Sequence, residues 1–151
     1  MKKSLLPILI FFITLCGPPL FAQQHKDEFT GAKAHLKSYK ALYVLNNGDE
    51  KHINGTLRNM RNALADPRLK GKLTLELIAF GDGVKVYDKI GPFEAQLQEL
   101  QKKGVILAQC ENTLRERHID KSTLFPFISY VPSGNGEIII RGADGWVIVH
   151  P

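Results

Sequence analysis

"GVILAQCENTL", residues 104–114, compresses a helix end, a strand and a new helix start into one short stretch. Gly104 is a helix terminator, "VILAQ" is a run of strand formers, and Cys110 follows directly. Thr113 and Glu116 stand at capping-box spacing, which predicts a helix beginning within a residue or two of the thiol. A strand that runs straight into a helix is one half of a strand–helix–strand unit. The question is whether the rest of the chain repeats it.

Upstream it does. "KALYVLN" is a short apolar run ended by Asn46-Asn47-Gly48-Asp49, and "KHINGTLRNMRNALAD" follows with Ile53, Leu57, Met60 and Leu64 at helical spacing. Pro67 stops that helix, and "KLTLELIAFGDG" supplies a second strand ending in Gly81-Asp82-Gly83, with Val84 and Val86 opening a short helical turn. Pro92 sits at a helix start, Phe93, Leu97 and Leu100 line one face, Glu99 and Lys103 pair four apart, and Gly104 closes the helix. Strands alternating with helices predict an α/β fold with a parallel sheet and helices on both faces, because parallel neighbours need a crossover and each crossover helix buries its apolar stripe on the sheet. Ligands in such sheets sit beyond the carboxyl ends of the strands. Asn46, Asn47, Gly81 to Gly83 and Cys110 end the strands here and are expected along one edge. His52 follows the first strand closely enough to reach it.

The amino terminus reads as a signal peptide over residues 1–22. Lys2 and Lys3 precede an apolar run from Leu5 to Leu15, then Gly17-Pro18-Pro19 and Leu20-Phe21-Ala22. The run is shorter than the roughly 20 residues that span a bilayer, and it ends in helix breakers. Lipidation at Cys16 is the minor alternative, with the bulky Leu15 in front of it where a small residue is expected. Residues 23–38, "QQHKDEFTGAKAHLKS", are polar and aperiodic and read as an arm leading into a domain over residues 39–151. Cleavage after Ala22 removes Lys2 and Lys3, takes the formal charge from +5 to +3, and leaves one of the two cysteines. About 129 residues remain, enough for one domain with a real core. The expected product is exported and periplasmic, with no membrane attachment after cleavage. The pI near 9.3 raises nucleic acid as a partner. Basic residues spread along the chain and interleaved with Asp and Glu point instead to a solvated surface.

A lone cysteine in an exported chain is a buried inert residue, an intermolecular bridge or a reactive thiol. Its place at a strand end, before a helix, favours the last reading. A helix amino terminus offers free N–H groups and positive potential, which lower a thiol pKa, and the thiolate is the nucleophile. Glu111 opposes ionisation, while Arg115, Arg117 and His118 favour it. On this reading the sulfur is open to solvent. Other motifs carry less. Gly81-Asp82-Gly83 lacks the third glycine of a dinucleotide fingerprint and reads as a tight turn. His52, His118 and His150 have no ligand spacing, so neither a metal nor a cofactor is expected, and no serine-histidine-acid set can be assembled.

Taken in order, "NMRNAL", "LIAFGDGVKVY", "GVILAQCENTL" and "VPSGNGEIIIRGADGWVIVHP" resemble the DsrE/DsrF-like family of sulfur-relay proteins over roughly residues 39–151, especially its exported single-domain members. The resemblance implies a three-layer α/β/α fold around a mostly parallel sheet of about five strands, and a homo-oligomer, trimer or hexamer. It implies that Cys110 matches the cysteine that carries sulfur as a persulfide and passes it to a partner. It also changes one local reading. "EIIIRGADGWVIVH" by itself looks like two strands joined by a turn, whereas the family pattern implies a helix from about Pro132 to Arg141 and a last strand from Trp146. The expected function is therefore a periplasmic sulfur carrier or sulfurtransferase-like protein. Cys110 is its catalytic residue, Asn112 and Thr113 shape the pocket, and Asn46, Asn47, His52, Gly81 and Gly83 line or support it. The expected partner is a sulfur donor or acceptor protein, or a small thiol. The alternative is a non-enzymatic oligomeric binding protein with Cys110 buried and inert.

Overall fold

The sheet has five strands in the order β4-β3-β2-β1-β5, every neighbouring pair parallel. They are β1 (Tyr39–Leu45), β2 (Leu73–Ala79), β3 (Ile106–Cys110), β4 (Ser129–Val131) and β5 (Val147–Val149). The computed structural model describes residues 28–151, of which Lys33–Pro151 form one unit. The signal-peptide reading and Cys16 lie outside the described residues, and residues 28–38 contain no helix or strand.

Four α-helices connect the strands: α1 (Glu50–Ala65), α2 (Glu94–Lys102), α3 (Glu111–Glu116) and α4 (Gly134–Ala143). Asp49 caps α1 by accepting the His52 N–H at 2.8 Å. Ile53, Leu57 and Met60 form its buried stripe, and it stops at Ala65 before Pro67. Leu97 and Leu100 do the same for α2, whose carbonyls are closed by the N–H groups of Gly104 and Val105 at 2.8 and 3.1 Å, with Gly104 at φ +83°. A 3-10 segment over Gly81–Tyr87 follows β2.

Alternation along the strands separates two cores. Tyr43, Leu45, Leu75, Leu77, Ala79 and Leu107 face α1 and α2 together with Ile53, Leu57, Met60, Leu97 and Leu100. Leu42, Val44, Ile78 and Ala108 face the other way, with Trp146 and Ile138. That second face carries α4. The three-layer α/β/α arrangement follows from chain direction: the links from β1 to β2 and from β2 to β3 cross one face, and the link from β4 to β5 crosses the other.

Two local readings change. Residues 137–140, strand-like by composition, lie inside α4, in agreement with the helix that the family pattern implies. Ser133 caps it by accepting the Gly136 N–H at 3.2 Å, and the packing of the partly buried Ile138 against the second core outweighs the weak helix opposition of isoleucine. Thr113 does not cap α3. Cys110 holds the capping position, so Thr113 is already in the first turn.

Candidate functional site

The carboxyl ends of β3 and β4 are neighbours, with Cys110 paired in register to Val131. β3 leads into α3, whose Leu114 packs in the α1/α2 core, while β4 leads into α4 on the opposite face. Adjacent strands whose connections leave to opposite faces open a crevice at their carboxyl ends. Cys110 is the last residue of β3 and, alternating with Ile106 and Ala108, turns its side chain toward the α4 side of the sheet.

The crevice is a cavity of about 210 Å³ bounded by Phe80, Gly81, Asn112, Thr113, Ser133 and Gly134 around Cys110, with Glu116, Arg117 and Asn135 at its margin. It is well under the several hundred Å³ of a drug-sized ligand site and suits a small group attached to sulfur. Cys110 is 4 % exposed. The thiol is therefore buried beside a polar hollow rather than open to solvent, because α4 closes over the strand end that sequence reading left uncovered.

Burial raises the pKa of the Cys110 thiol, but the nearby backbone N–H groups of Thr113, Gly134 and Asn112 and the Thr113 hydroxyl outweigh it and bring the thiol below its ordinary range, with no capping hydrogen bond formed by the Cys110 side chain. Two helices supply these donors, α3 from its first turn and α4 from its first residue. Two of the basic side chains expected to help, Arg117 and Arg115, are engaged elsewhere: Arg117 pairs with Asp82 at 2.5 Å, Arg115 donates to Asn112 Oδ1, and Glu111, expected to oppose ionisation, pairs with Lys121. Neighbouring polar groups, rather than nearby charges, lower the thiol pKa.

Thr113 links two loops. It is 5 % exposed, its Oγ1 accepts the Gly81 N–H at 3.0 Å, and its hydroxyl, in the same cavity as Cys110, helps to lower the thiol pKa. Gly81 presents that N–H from a φ of +55°, a conformation that glycine adopts without a Cβ penalty. Gly134 is confined from the other side. A Cβ there would stand 2.9 Å from Phe80 Cδ1, so the absence of a side chain is what lets α4 begin against the ring and at the cavity of Cys110.

A family model matches residues 39–151, the whole of the sheet with its helices. The chain belongs to the DsrE/DsrF-like family. That family is generally related to sulfur relay. Among solved structures, this DsrE/DsrF-like chain is similar to the protein of unknown function MTH1491 from Methanobacterium thermoautotrophicum, with 30% identity and a TM-score of 0.71, covering 76% of this chain and 100% of that one. The ychN protein from E. coli shares the fold at 15% identity and a TM-score of 0.61, with coverage of 75% and 99%. BT1422 from Bacteroides thetaiotaomicron, of unknown function, does so at 13% identity and 0.61, with coverage of 74% and 94%. No curated protein matches the chain.

Of the residues singled out in the sequence, Cys110, Asn112, Thr113 and Gly81 meet at the DsrE/DsrF-like cavity. Asn46, Asn47, His52 and Gly83 are not among its lining residues. Gly83 packs under the end of β1, where an added Cβ would come within 2.1 Å of the Leu45 carbonyl oxygen. Asn47 accepts the Asp49 N–H at 2.8 Å, and His52 sits in the first turn of α1. Phe80, Ser133 and Gly134 escaped sequence reading, because their contribution comes from chain segments far from Cys110. The Ser133-Gly134 helix start was the local trace of it. Among the described residues, no group of His, Cys, Asp and Glu is placed to hold a metal ion, and no helix is long and apolar enough to cross a membrane.

Proposed function

We propose that this protein is an exported, periplasmic sulfur carrier that holds sulfane sulfur as a persulfide on Cys110. The observation that supports it is a thiol buried beside a small polar cavity and ringed by N–H and O–H donors, an arrangement that favours an anionic sulfur while leaving room for one more sulfur atom. In the reaction, the Cys110 thiolate attacks the outer sulfur of a donor persulfide R–S–SH. The donor S–S bond breaks, R–S⁻ leaves, and Cys110 becomes Cys–S–SH. An acceptor thiolate then attacks the outer sulfur and the Cys110 thiolate is restored. Sulfur moves as a neutral atom between thiolates, so no external oxidant or reductant is consumed. The same donors that hold the thiolate serve as an anion-stabilising set for the departing sulfur. The partner is a donor or acceptor protein or a small thiol, and the carrier acts as a homo-oligomer. Ile139 and Ile140 on α4 are 71 % and 58 % exposed and offer an apolar surface for assembly.

The 4 % exposure of Cys110 favours a second reading, a binding protein whose cysteine is inert. Mass spectrometry of protein isolated from its own envelope without reductant separates the two. A species with one added sulfur on Cys110, absent from Cys110→Ser, supports the carrier. An undiminished sulfur-loaded species in that variant contradicts it, and modification of the native thiol only after denaturation favours the binding reading.

A further inference from the structure

Glu76 lies in the middle of β2, itself an interior strand, and is 1 % exposed. Its Oε2 pairs with Nη2 of Arg141 at 2.7 Å, and Arg141 pairs through Nε with Glu137 at 2.7 Å and lies 4.3 Å from the centre of the Trp146 ring. A carboxylate inside a sheet is costly, and apolar residues of the same size commonly give equal or greater stability in its place. Such a pair is informative about position rather than stability: apolar surfaces let a helix slide, while an ion pair fixes where along the strand it sits.

The geometry shows what is being placed. Gly134, Glu137, Ile138 and Arg141 occupy one face of α4, at helical positions i, i+3, i+4 and i+7. Glu76, Ile78 and Phe80 point from β2 to that face in alternation. The helix is thus held to one strand twice, at Phe80 by Gly134 and at Glu76 by Arg141. The two anchor points are about 13 Å apart along the strand and about 10.5 Å along the helix. At the Phe80 end, Gly134 lines the same cavity as Cys110, and its backbone N–H helps to lower the thiol pKa.

We propose that Glu76 and Arg141 are positioning residues for the reactive thiol: their buried pair sets the axial position of α4, and through it the distance of the Gly134 N–H from the Cys110 sulfur. The inference rests on the reading of Cys110 as a working thiolate. Losing the pair lets α4 shift and carries the Gly134 N–H away from the sulfur, so the thiolate fraction at neutral pH falls by up to about tenfold, the worth of one hydrogen bond to an ionised group.

The test is the rate of Cys110 alkylation by iodoacetamide against pH in the full chain, with Cys110→Ser as the blank. Two variants are compared with wild type: Glu76→Gln, and the double replacement Glu76→Leu with Arg141→Met, which removes the pair and keeps the packing. The double variant is expected to retain the wild-type circular dichroism and melting while its alkylation profile moves to higher pH, with a loss of rate of up to about tenfold at neutral pH. If wild type ionises below the ordinary thiol range and the folded double variant follows the same profile, positioning is refuted and the sulfur-carrier reading stands. If wild type itself ionises as an ordinary thiol, the sulfur-carrier reading fails and takes this inference with it.

Discussion

Thr113→Val removes a hydroxyl and leaves the side-chain shape in place, which makes it a sharp probe of the sulfur's surroundings. Thr113 is 5 % exposed; its oxygen accepts the Gly81 N–H at 3.0 Å and its hydroxyl helps to lower the pKa of the neighbouring Cys110 thiol. A hydrogen bond to an ionised group contributes about 1.5–3 kcal/mol, and each 1.4 kcal/mol is about tenfold in an equilibrium constant. The thiolate fraction below the thiol pKa should therefore fall between about ten- and a hundredfold. The lower figure is expected, since a cavity of about 210 Å³ can admit a replacement water. The same change leaves the Gly81 N–H without its acceptor, costing about 1 kcal/mol at this partly buried position. Alkylation rates across pH and urea unfolding read the two effects separately. Thr113→Ser keeps the hydroxyl and should keep the wild-type alkylation profile. A Thr113→Val protein whose profile coincides with wild type would refute the claim that directed donors sustain the thiolate.

Three further outcomes follow from the same structure. Gly83→Ala places a Cβ within 2.1 Å of the Leu45 carbonyl oxygen, a backbone atom that cannot rotate away, and should lower unfolding stability in urea by about 3 kcal/mol or more. His118 is exposed at φ +53° just past the end of α3, so His118→Gly should raise stability by up to about 1 kcal/mol, read as a melting temperature a few degrees higher. The Cys110 thiol is lowered in the folded state, because the Thr113, Gly134 and Asn112 donors outweigh burial; the folded protein then binds fewer protons than the unfolded chain between the two thiol pKa values. Stability relative to Cys110→Ala should accordingly increase with pH up to the unfolded value of about 8.5 and be lost as pH falls through the folded one; a pH-independent difference would contradict it.

What the sequence disclosed was whatever local pattern encodes. The Ile53, Leu57 and Met60 stripe marks α1, and the apolar run ending at Cys110 marks β3. The strand β4, only Ser129–Val131 at the sheet edge, is too short for a periodic signal. The helix α4 was hidden by isoleucines whose conformation is set by tertiary packing, and it became legible only through resemblance to a family. The site divides in the same way. Cys110, Asn112 and Thr113 adjoin in sequence. The Gly134 donor and the Glu76–Arg141 pair exist only once the link from β4 to β5 crosses the α4 face, so nothing near Cys110 announces them. The capping-box spacing of Thr113 and Glu116 pointed to a helix starting beside the thiol, and α3 does begin at Glu111, but with Cys110 in the capping position and Thr113 in the first turn, where it reaches Gly81.

The central claim is that polar groups around the buried sulfur favour the Cys110 thiolate, and the pH dependence of its alkylation in native wild-type protein tests this most directly, with the modified site confirmed by peptide mass spectrometry. The structure predicts a rate that persists to lower pH than that of a free cysteine. A rate that follows the free-cysteine curve, or that emerges only on unfolding, would contradict it.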